Sequence, residues 1–269
     1  MDCHQVYYLA LLQGLTEFLP ISSAAHLILV PVLFGWPDPG LAFDVATHIG
    51  TLAAVVIYFF DALQQMTISW FRSVSGRGTD IDARLAWYVI AGTVPAGLAG
   101  LAANHAVETS LRHPLVVATA TIVFALVLWL AQKLGSERRS VTDLGWKDAL
   151  FVGVCQALAL IPGTSRSGIT ITGGLFLGLD RQAAARFSFL LSIPVTALAG
   201  LLKAHDLVRS ATPVPWWSLF LGALLSGVVA YVTIGAFLKW LTRIGMLPFV
   251  VYRLALGALL FLVFLPPGT

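Results

Sequence analysis

The sequence predicts an all-α polytopic membrane protein: six transmembrane helices plus two re-entrant helical hairpins, arranged as inverted repeats in a single membrane domain spanning residues 1–269. Three observations predict it. The chain is 58% hydrophobic and only 11% charged, against about 25% charged in soluble domains. Six apolar stretches are long enough to span a bilayer. Two further apolar regions are each interrupted by a Pro-Ser break that carries a formal charge, Glu17 in the first and Arg166 in the second.

Taken in order, the first element is the interrupted region 6–34, split near Pro20. Its halves run roughly 11 to 15 residues, short of the ~20 that a spanning helix needs. Spans follow at 41–60, 85–103 and 114–131. The second interrupted region, 148–179, breaks near Pro162, and spans at 186–202, 216–238 and 248–265 complete the chain. Met1-Asp2-Cys3-His4 lacks the basic start of a cleaved signal peptide, so the first apolar segment is expected to stay in the mature protein. Cys3 and Cys155 are far apart, and neither a structural disulfide nor a metal-thiolate site is expected.

Charge distribution separates hairpins from kinked spans. With both interrupted regions re-entrant, one side holds Arg72, Arg77, Arg84, Lys133, Arg138, Arg139, Lys147, Arg181, Arg186, Lys239 and Arg243, and the other holds only Arg112, Lys203 and Arg209. That is 11 against 3; if both regions crossed, the split would be 9 against 5. The positive-inside rule therefore selects two hairpins, six spans and both termini outside. Asp180 is placed to cap the following helix on the inner side. The net charge of +3 is spread over loops, which reports topology and excludes nucleic acid as a partner.

The two halves repeat, about 1–131 and 147–269. Gln13 to Ser23 matches Gln156 to Ser165 in pattern, Phe43 and Ile49 fall over Phe187 and Ile193, and Pro114 falls over Pro248, at offsets of 134 to 144 residues. Each half holds one hairpin and three spans. An odd number of spans turns the second half upside down, so the repeats are inverted and the two hairpin tips should meet near the midplane.

The breaks carry the chemistry. An ionisable side chain near the bilayer centre costs roughly 2.5–3.5 kcal/mol on insertion scales, and interrupted backbone is tolerated there only in protein or beside a wet cavity. Ser22 or Ser23 can cap the half-helix beginning near Ala24, and Thr164 or Ser165 the one beginning near Arg166. Two helix N-termini facing one another attract anions. Arg166 adds a planar fork for phosphate oxygens, and Ser165, Ser167 and Thr170 add hydroxyls.

Gln13 and Glu17, at i and i+4, present two oxygens from one helix face. An ionised Glu17 would repel phosphate unless a divalent cation, Mg²⁺ or Ca²⁺, lay between them, held by Glu17 and Gln13 with substrate oxygens and water. Ser23 and His26, at i and i+3, suit a hydroxyl nucleophile beside a general base, or a histidine that protonates a leaving group. The set reads as phosphoryl-transfer machinery, with Glu17, Ser23, His26 and Arg166 catalytic and Ser22, Ser165, Arg166, Ser167 and Thr170 binding substrate. Plainer roles are open to several of these: Ser22 and Ser23 as ordinary caps, Gln13 as a bridge to the opposite hairpin, His26 as a satisfied buried histidine. Asp44 and His48 share a face in the outer half of the first span and either line the cavity or bond within the core. Arg253, near the inner end of the last span, is expected to snorkel.

At these residues the chain resembles the undecaprenyl-pyrophosphate phosphatase family of the bacitracin-resistance type. That family carries an E/Q-x-x-x-E motif, here Gln13 to Glu17, running into Phe18-Leu19-Pro20-Ile21-Ser22-Ser23 and His26. It also carries P-G-x-S-R-S-x-x-T, here Pro162 to Thr170, matched at every fixed position. The resemblance extends over essentially the whole chain. It implies a metal-dependent hydrolase at the outer face of the bacterial inner membrane, releasing phosphate from undecaprenyl diphosphate and recycling the carrier for cell-wall synthesis. The partners implied are the isoprenyl diphosphate lipid and bilayer lipids, and a homodimer is allowed. Gln13 stands where some members carry Glu, and a neutral amide is a weaker metal ligand.

The rival class is an inverted-repeat transporter or flippase of an anionic lipid, since broken helices with N-termini at the midplane serve transporters too. The Glu17–Ser23–His26 set weighs against it, because an anion carrier needs no metal-binding acid. The lipid phosphatases with a histidine nucleophile in a Ser-Arg-x5-His-x3-Asp pattern are excluded, since no His follows Ser165-Arg166 until His205.

Overall fold

In a computed structural model, residues 3–106, 113–209 and 216–265 are described; Met1, Asp2 and Arg112, which entered the reading above, lie outside them. Among the described residues the chain forms eleven α-helices and no strand: α1 (Cys3–Thr16), α2 (Ser23–Phe34), α3 (Gly40–Tyr58), α4 (Phe60–Val74), α5 (Ile81–Ala106), α6 (Pro114–Leu134), α7 (Trp146–Ala157), α8 (Arg166–Phe176), α9 (Arg181–Arg209), α10 (Trp216–Ile244) and α11 (Leu247–Phe264). Six of them, α3, α5, α6, α9, α10 and α11, are long and apolar enough to cross a membrane. They correspond one to one with the six expected spans.

Their ends run past the apolar stretches. α9 begins at Arg181 and α10 continues to Ile244, because a helix extends into the aqueous boundary for as long as its backbone bonds and caps are satisfied. Asp180 supplies such a cap: its Oδ1 accepts from the Ala183 N–H at 2.8 Å. The sequence reading did not anticipate α4. It is amphipathic, burying only Met66 and Ser69, and a search for apolar length is blind to such a helix. It follows α3 after the single residue Phe59.

Lipid tails give apolar helices no hydrophobic reason to associate, so close approach depends on small residues. A Cβ on Gly50 of α3 would meet the Ala223 carbonyl of α10, and a Cβ on Gly153 of α7 would lie 2.4 Å from the Gly92 carbonyl of α5. α1 packs on α10 as α7 packs on α5, and α6 packs on α11. The largest apolar core gathers Phe18 from the first break with Phe59, Leu128, Phe187, Phe189 and Leu190. This core holds the first break and the α7–α8 pair against the long helices, while α1 packs in a second core with α3 and α10, and α2 in a third with α6 and α11.

On the side assigned as inner, Arg139 braces the segment between α6 and α7. Its guanidinium pairs with Asp148 and donates to the carbonyls of Leu177 (2.9 Å) and Asp143 (2.7 Å). The Ser140 N–H and hydroxyl both donate to the Asp143 carboxylate, which holds that group below the usual carboxylate range.

Candidate active site

The first break follows directly from its residues. The Glu17 N–H still bonds back to the Gln13 carbonyl at 3.0 Å, but Pro20 has no N–H to continue a helix. The chain turns, and Ser22 sits at φ 70° with its Oγ accepting from the Ala25 N–H at 3.4 Å to start α2. In the second break a 3₁₀ turn, Leu158–Leu160, leads through Gly163 at φ 94° to Ser165 at φ 69°, whose Oγ accepts from the Gly168 N–H at 3.1 Å and starts α8. Gly163 is required on two counts. Its φ lies in the left-handed region, and a Cβ there would lie 2.3 Å from the Val117 carbonyl of α6. A serine at positive φ costs of order 1–3 kcal/mol, a strain that surrounding structure must hold.

Arg253 does much of that holding. The expectation that it snorkels is overturned: it is 0% exposed. Its Nη2 donates to the Gly163 and Thr164 carbonyls (3.0 and 2.8 Å), Nε to the Thr121 carbonyl (3.2 Å) and Nη1 to the Pro20 carbonyl (3.5 Å). Breaking two helices within a membrane leaves carbonyls that no water reaches, and a guanidinium offers five donors in a fixed fork. Arg253 thus joins the two breaks. Ser167 does so again, donating from Oγ to the Leu19 carbonyl at 2.9 Å.

Between the breaks lies a polar cluster centred on Glu17. Arg166 Nη2 donates to Glu17 Oε1 at 2.7 Å. Ser23 Oγ and Gln13 Nε2 each donate to Oε2 at 2.9 Å. His48 Nε2 stands 3.8 Å from the same oxygen, its ring held by Nδ1 donating to the Asp44 carbonyl at 2.7 Å. Arg166 also donates from Nη1 to Thr196 Oγ1 at 3.2 Å, and its guanidinium carbon lies 5.9 Å from the centre of the Phe18 ring. The carboxylate is therefore neutralised and hydrogen-bonded within the chain itself.

Glu17, Ser22, Ser23, Ser165 and Arg166 all face one cavity of about 280 Å³, together with His48, Gln156, Thr196 and Lys203. The remaining candidates lie behind the wall. Gln13 is fully buried, and its Oε1 has no partner. Thr170 Oγ1 bonds the Arg166 carbonyl (2.8 Å) and Ser188 Oγ (2.6 Å). His26 turns away from the cavity: Nδ1 donates to the Ser22 carbonyl at 2.7 Å, so the neutral ring's Nε2 accepts from the Tyr252 hydroxyl at 2.6 Å. Both its nitrogens are thereby committed, and the hydroxyl of Ser23 finds Glu17 instead.

Sequence reasoning offered His48 two roles and missed Gln156, Thr196, Lys203 and Tyr252 as site residues. The spacing of Asp44 and His48 on one face was the only local signal for any of them. The others come from α7, α9 and α11; of these only Gln156 carried a signal, its match to Gln13 in the repeat.

A divalent cation would have a limited set of ligands here. Among the described residues no three His, Cys, Asp or Glu side chains cluster to hold one. The orphaned Oε1 of Gln13 and the carboxylate of Glu17 nevertheless suit the mode in which Mg²⁺ takes one carboxylate and completes its shell with phosphate oxygens and water.

Fold and site together define a helical membrane protein with a charged, hydroxyl-bearing cavity where two broken helices meet. Residues 6–259 match the family model described as "Bacitracin resistance protein BacA". The chain is 56% identical over 262 residues to a protein of Teredinibacter turnerae, covering 97% of this chain and 99% of that one. It is 58% identical over 265 residues to one of Thioalkalivibrio sulfidiphilus, covering 98% and 100%, and 56% identical over 264 residues to one of Nitrosococcus oceani, again covering 98% and 100%. Each of these relatives is named undecaprenyl-diphosphatase. The chain belongs to the BacA family.

Proposed function

We propose that this chain hydrolyses undecaprenyl diphosphate to undecaprenyl phosphate and inorganic phosphate at the outer face of the bacterial inner membrane, recycling the lipid carrier for cell-wall synthesis. The observation that carries the mechanism is the 2.9 Å hydrogen bond from Ser23 Oγ to Glu17 Oε2, made on the wall of the cavity that Arg166 also lines. A hydroxyl within hydrogen-bond reach of a base is the signature of an activated nucleophile.

In this reading Ser23 Oγ attacks the phosphorus remote from the lipid, and its proton passes to Glu17. The bond from that phosphorus to the bridging oxygen breaks, and undecaprenyl phosphate leaves with the electron pair. Water then attacks the phosphoserine and releases phosphate, the hydroxyl proton returning to Ser23. Arg166 turns its fork to the transferring phosphoryl oxygens, and the free N–H groups at the starts of α2 and α8 add positive potential. Ser22 and Ser165 hold those two helix starts in place, and Ser167 and Thr170 fix α8 around Arg166. His26, locked between Ser22 and Tyr252, positions the first break rather than moving a proton. A divalent cation, when bound by Glu17 and Gln13, would neutralise diphosphate charge.

The same reading makes the helix pairs α1–α2 and α7–α8 re-entrant hairpins of two inverted repeats. The matching contacts of α1 with α10 and of α7 with α5 support this. So does the location of the cavity. Val45 and His48 of α3, Ala96 of α5, and Thr196 and Lys203 of α9 line it, and all fall in the outer halves of their spans under the positive-inside assignment. A homodimer is compatible but not required, since Glu17, Ser23 and Arg166 come from one chain.

The experiment is phosphate release by the purified protein from undecaprenyl diphosphate, with and without chelator. Release that stops in chelator is the expected result, and equal release in chelator would remove the cation from the scheme. A protein that releases no phosphate yet moves the lipid between leaflets would be a flippase instead. For the topology, cysteines placed at Ser75 and Ser140 should resist an impermeant thiol reagent in intact cells; labelling of both from outside would reverse it.

A further inference from the structure

Gln156 lies near the end of α7, on the wall of the cavity that holds Glu17 and Arg166. It is 2% exposed, and neither its Nε2 nor its Oε1 has a hydrogen-bond partner. Buried polar groups are almost always paired, so an amide with both ends idle is a departure that needs a reason. Its counterpart in the first half is Gln13, which stands the same 143 residues earlier as Ser22 stands before Ser165. Gln13 donates its Nε2 to Glu17. The position equivalent to Glu17 in the second half is Leu160, so Gln156 lacks the partner that the repeat would have supplied. Thr164 Oγ1, in the same break, is a second buried polar atom without a partner.

The surroundings select what could answer that amide. The cavity wall carries Arg166 and Lys203, the hydroxyls of Ser165 and Thr196, and, as its one carboxylate among the described residues, Glu17, which Arg166 already pairs. Such a wall favours an anion with room for more than one donor. A lipid diphosphate has two phosphoryl groups, and the scheme above engages only the terminal one, through Ser23 and Arg166.

We infer that Gln156 is a substrate-binding residue that donates its amide N–H to the second phosphoryl group, the one that bears the lipid, in the cavity that Lys203 also lines. This rests on the phosphatase reading and extends it. The lipid phosphate is the leaving group, so a donor to its oxygens stabilises the charge that develops when the bridging bond breaks. The amide is left unpaired in the free protein because its partner arrives with the substrate.

The test uses the full-length protein in detergent, with inorganic pyrophosphate and inorganic phosphate as probes and thermal melting as the readout beside activity. Gln156→Leu removes the idle amide at nearly constant volume, so the variant should melt at the same temperature as wild type or higher without ligand. Wild type should gain more stability from pyrophosphate than from phosphate. In Gln156→Leu that difference should vanish while protection by phosphate remains, and turnover of undecaprenyl diphosphate should fall roughly ten- to a hundredfold. Gln156→Glu should weaken pyrophosphate further.

The inference is overturned by a Gln156→Leu variant that keeps wild-type turnover and the pyrophosphate preference, or by one that loses protection from both anions alike. A wild type that gains no more from pyrophosphate than from phosphate overturns it too. Tighter pyrophosphate binding in Gln156→Glu would make the site one for a cation. Failure of the phosphatase reading shows separately, as a wild type that releases no phosphate from the lipid.

Discussion

The two breaks solve one backbone problem in the same way and then diverge in chemistry. Ser22 and Ser165 both cap a new helix from nearly identical positive φ angles, 70° and 69°. Both breaks surrender carbonyls to the Arg253 guanidinium. The next residue differs: Ser23 in the first, Arg166 in the second. Four residues before Pro20 or Gly163 the chain has Thr16 or Ala159, and only the first break adds an acid, Glu17. On the proposed reading, one half brings the nucleophile and its base, the other the phosphate fork. On that reading a repeated frame carries complementary side chains, and they meet at one cavity.

The largest effect should come from the first break. Glu17→Gln keeps an acceptor for Ser23 and Arg166 but removes the base, and phosphate release should fall about a thousandfold. The change also leaves the Arg166 charge unpaired, so melting of the variant must be measured alongside. A folded Glu17→Gln protein with near-normal turnover would make Glu17 only a counter-ion to Arg166, and the two breaks would no longer differ in chemical role.

Arg166→Lys tests the second break. A Lys is a point charge and cannot present a planar fork, so turnover should fall about a hundredfold, on the order of 3 kcal/mol in the transition state. Wild-type turnover in this variant would move the phosphate site elsewhere.

Arg253→Lys strikes both breaks together. Lys keeps the charge but reaches fewer of the four carbonyls, and stability should fall by about 2 kcal/mol. The melting temperature checks this; an unchanged melt would mean that each break stands without the shared clamp.

The smallest effect sharpens the likeness. Ser22→Ala and Ser165→Ala each remove one helix cap and should cost about 1 kcal/mol apiece. Unequal melting of the two variants would show that the shared backbone geometry hides unequal support.

Some of this was legible in the primary structure because the membrane penalises exceptions. Glu17 and Arg166 stood out since few charges survive in apolar surroundings without a role. The caps narrowed to two candidates each, and only the folded structure selected Ser22 over Ser23 and Ser165 over Thr164. That choice frees the Ser23 hydroxyl for Glu17. His26 was paired with Ser23 by its i, i+3 spacing, yet its imidazole follows Tyr252 of α11, a residue 226 positions away. Arg253 was read as a snorkelling charge because sequence shows distance from a helix end but not which broken backbone lies alongside. α4 escaped because its apolar face is a stripe and not a run.

By itself the sequence determined the class of protein, the number of spans, the two breaks and the charged residues within them. These follow from local physics: transfer cost, helix length, capping and the missing N–H of proline. The tertiary structure alone decided which groups share the cavity. It placed Glu17 between Arg166 and Ser23, set His48 at the edge, turned His26 away, buried Arg253 beneath both breaks and left Gln156 without a partner. Those outcomes depend on the packing of helices far apart in the chain, and a contact between distant segments is decided by shape and not by spacing.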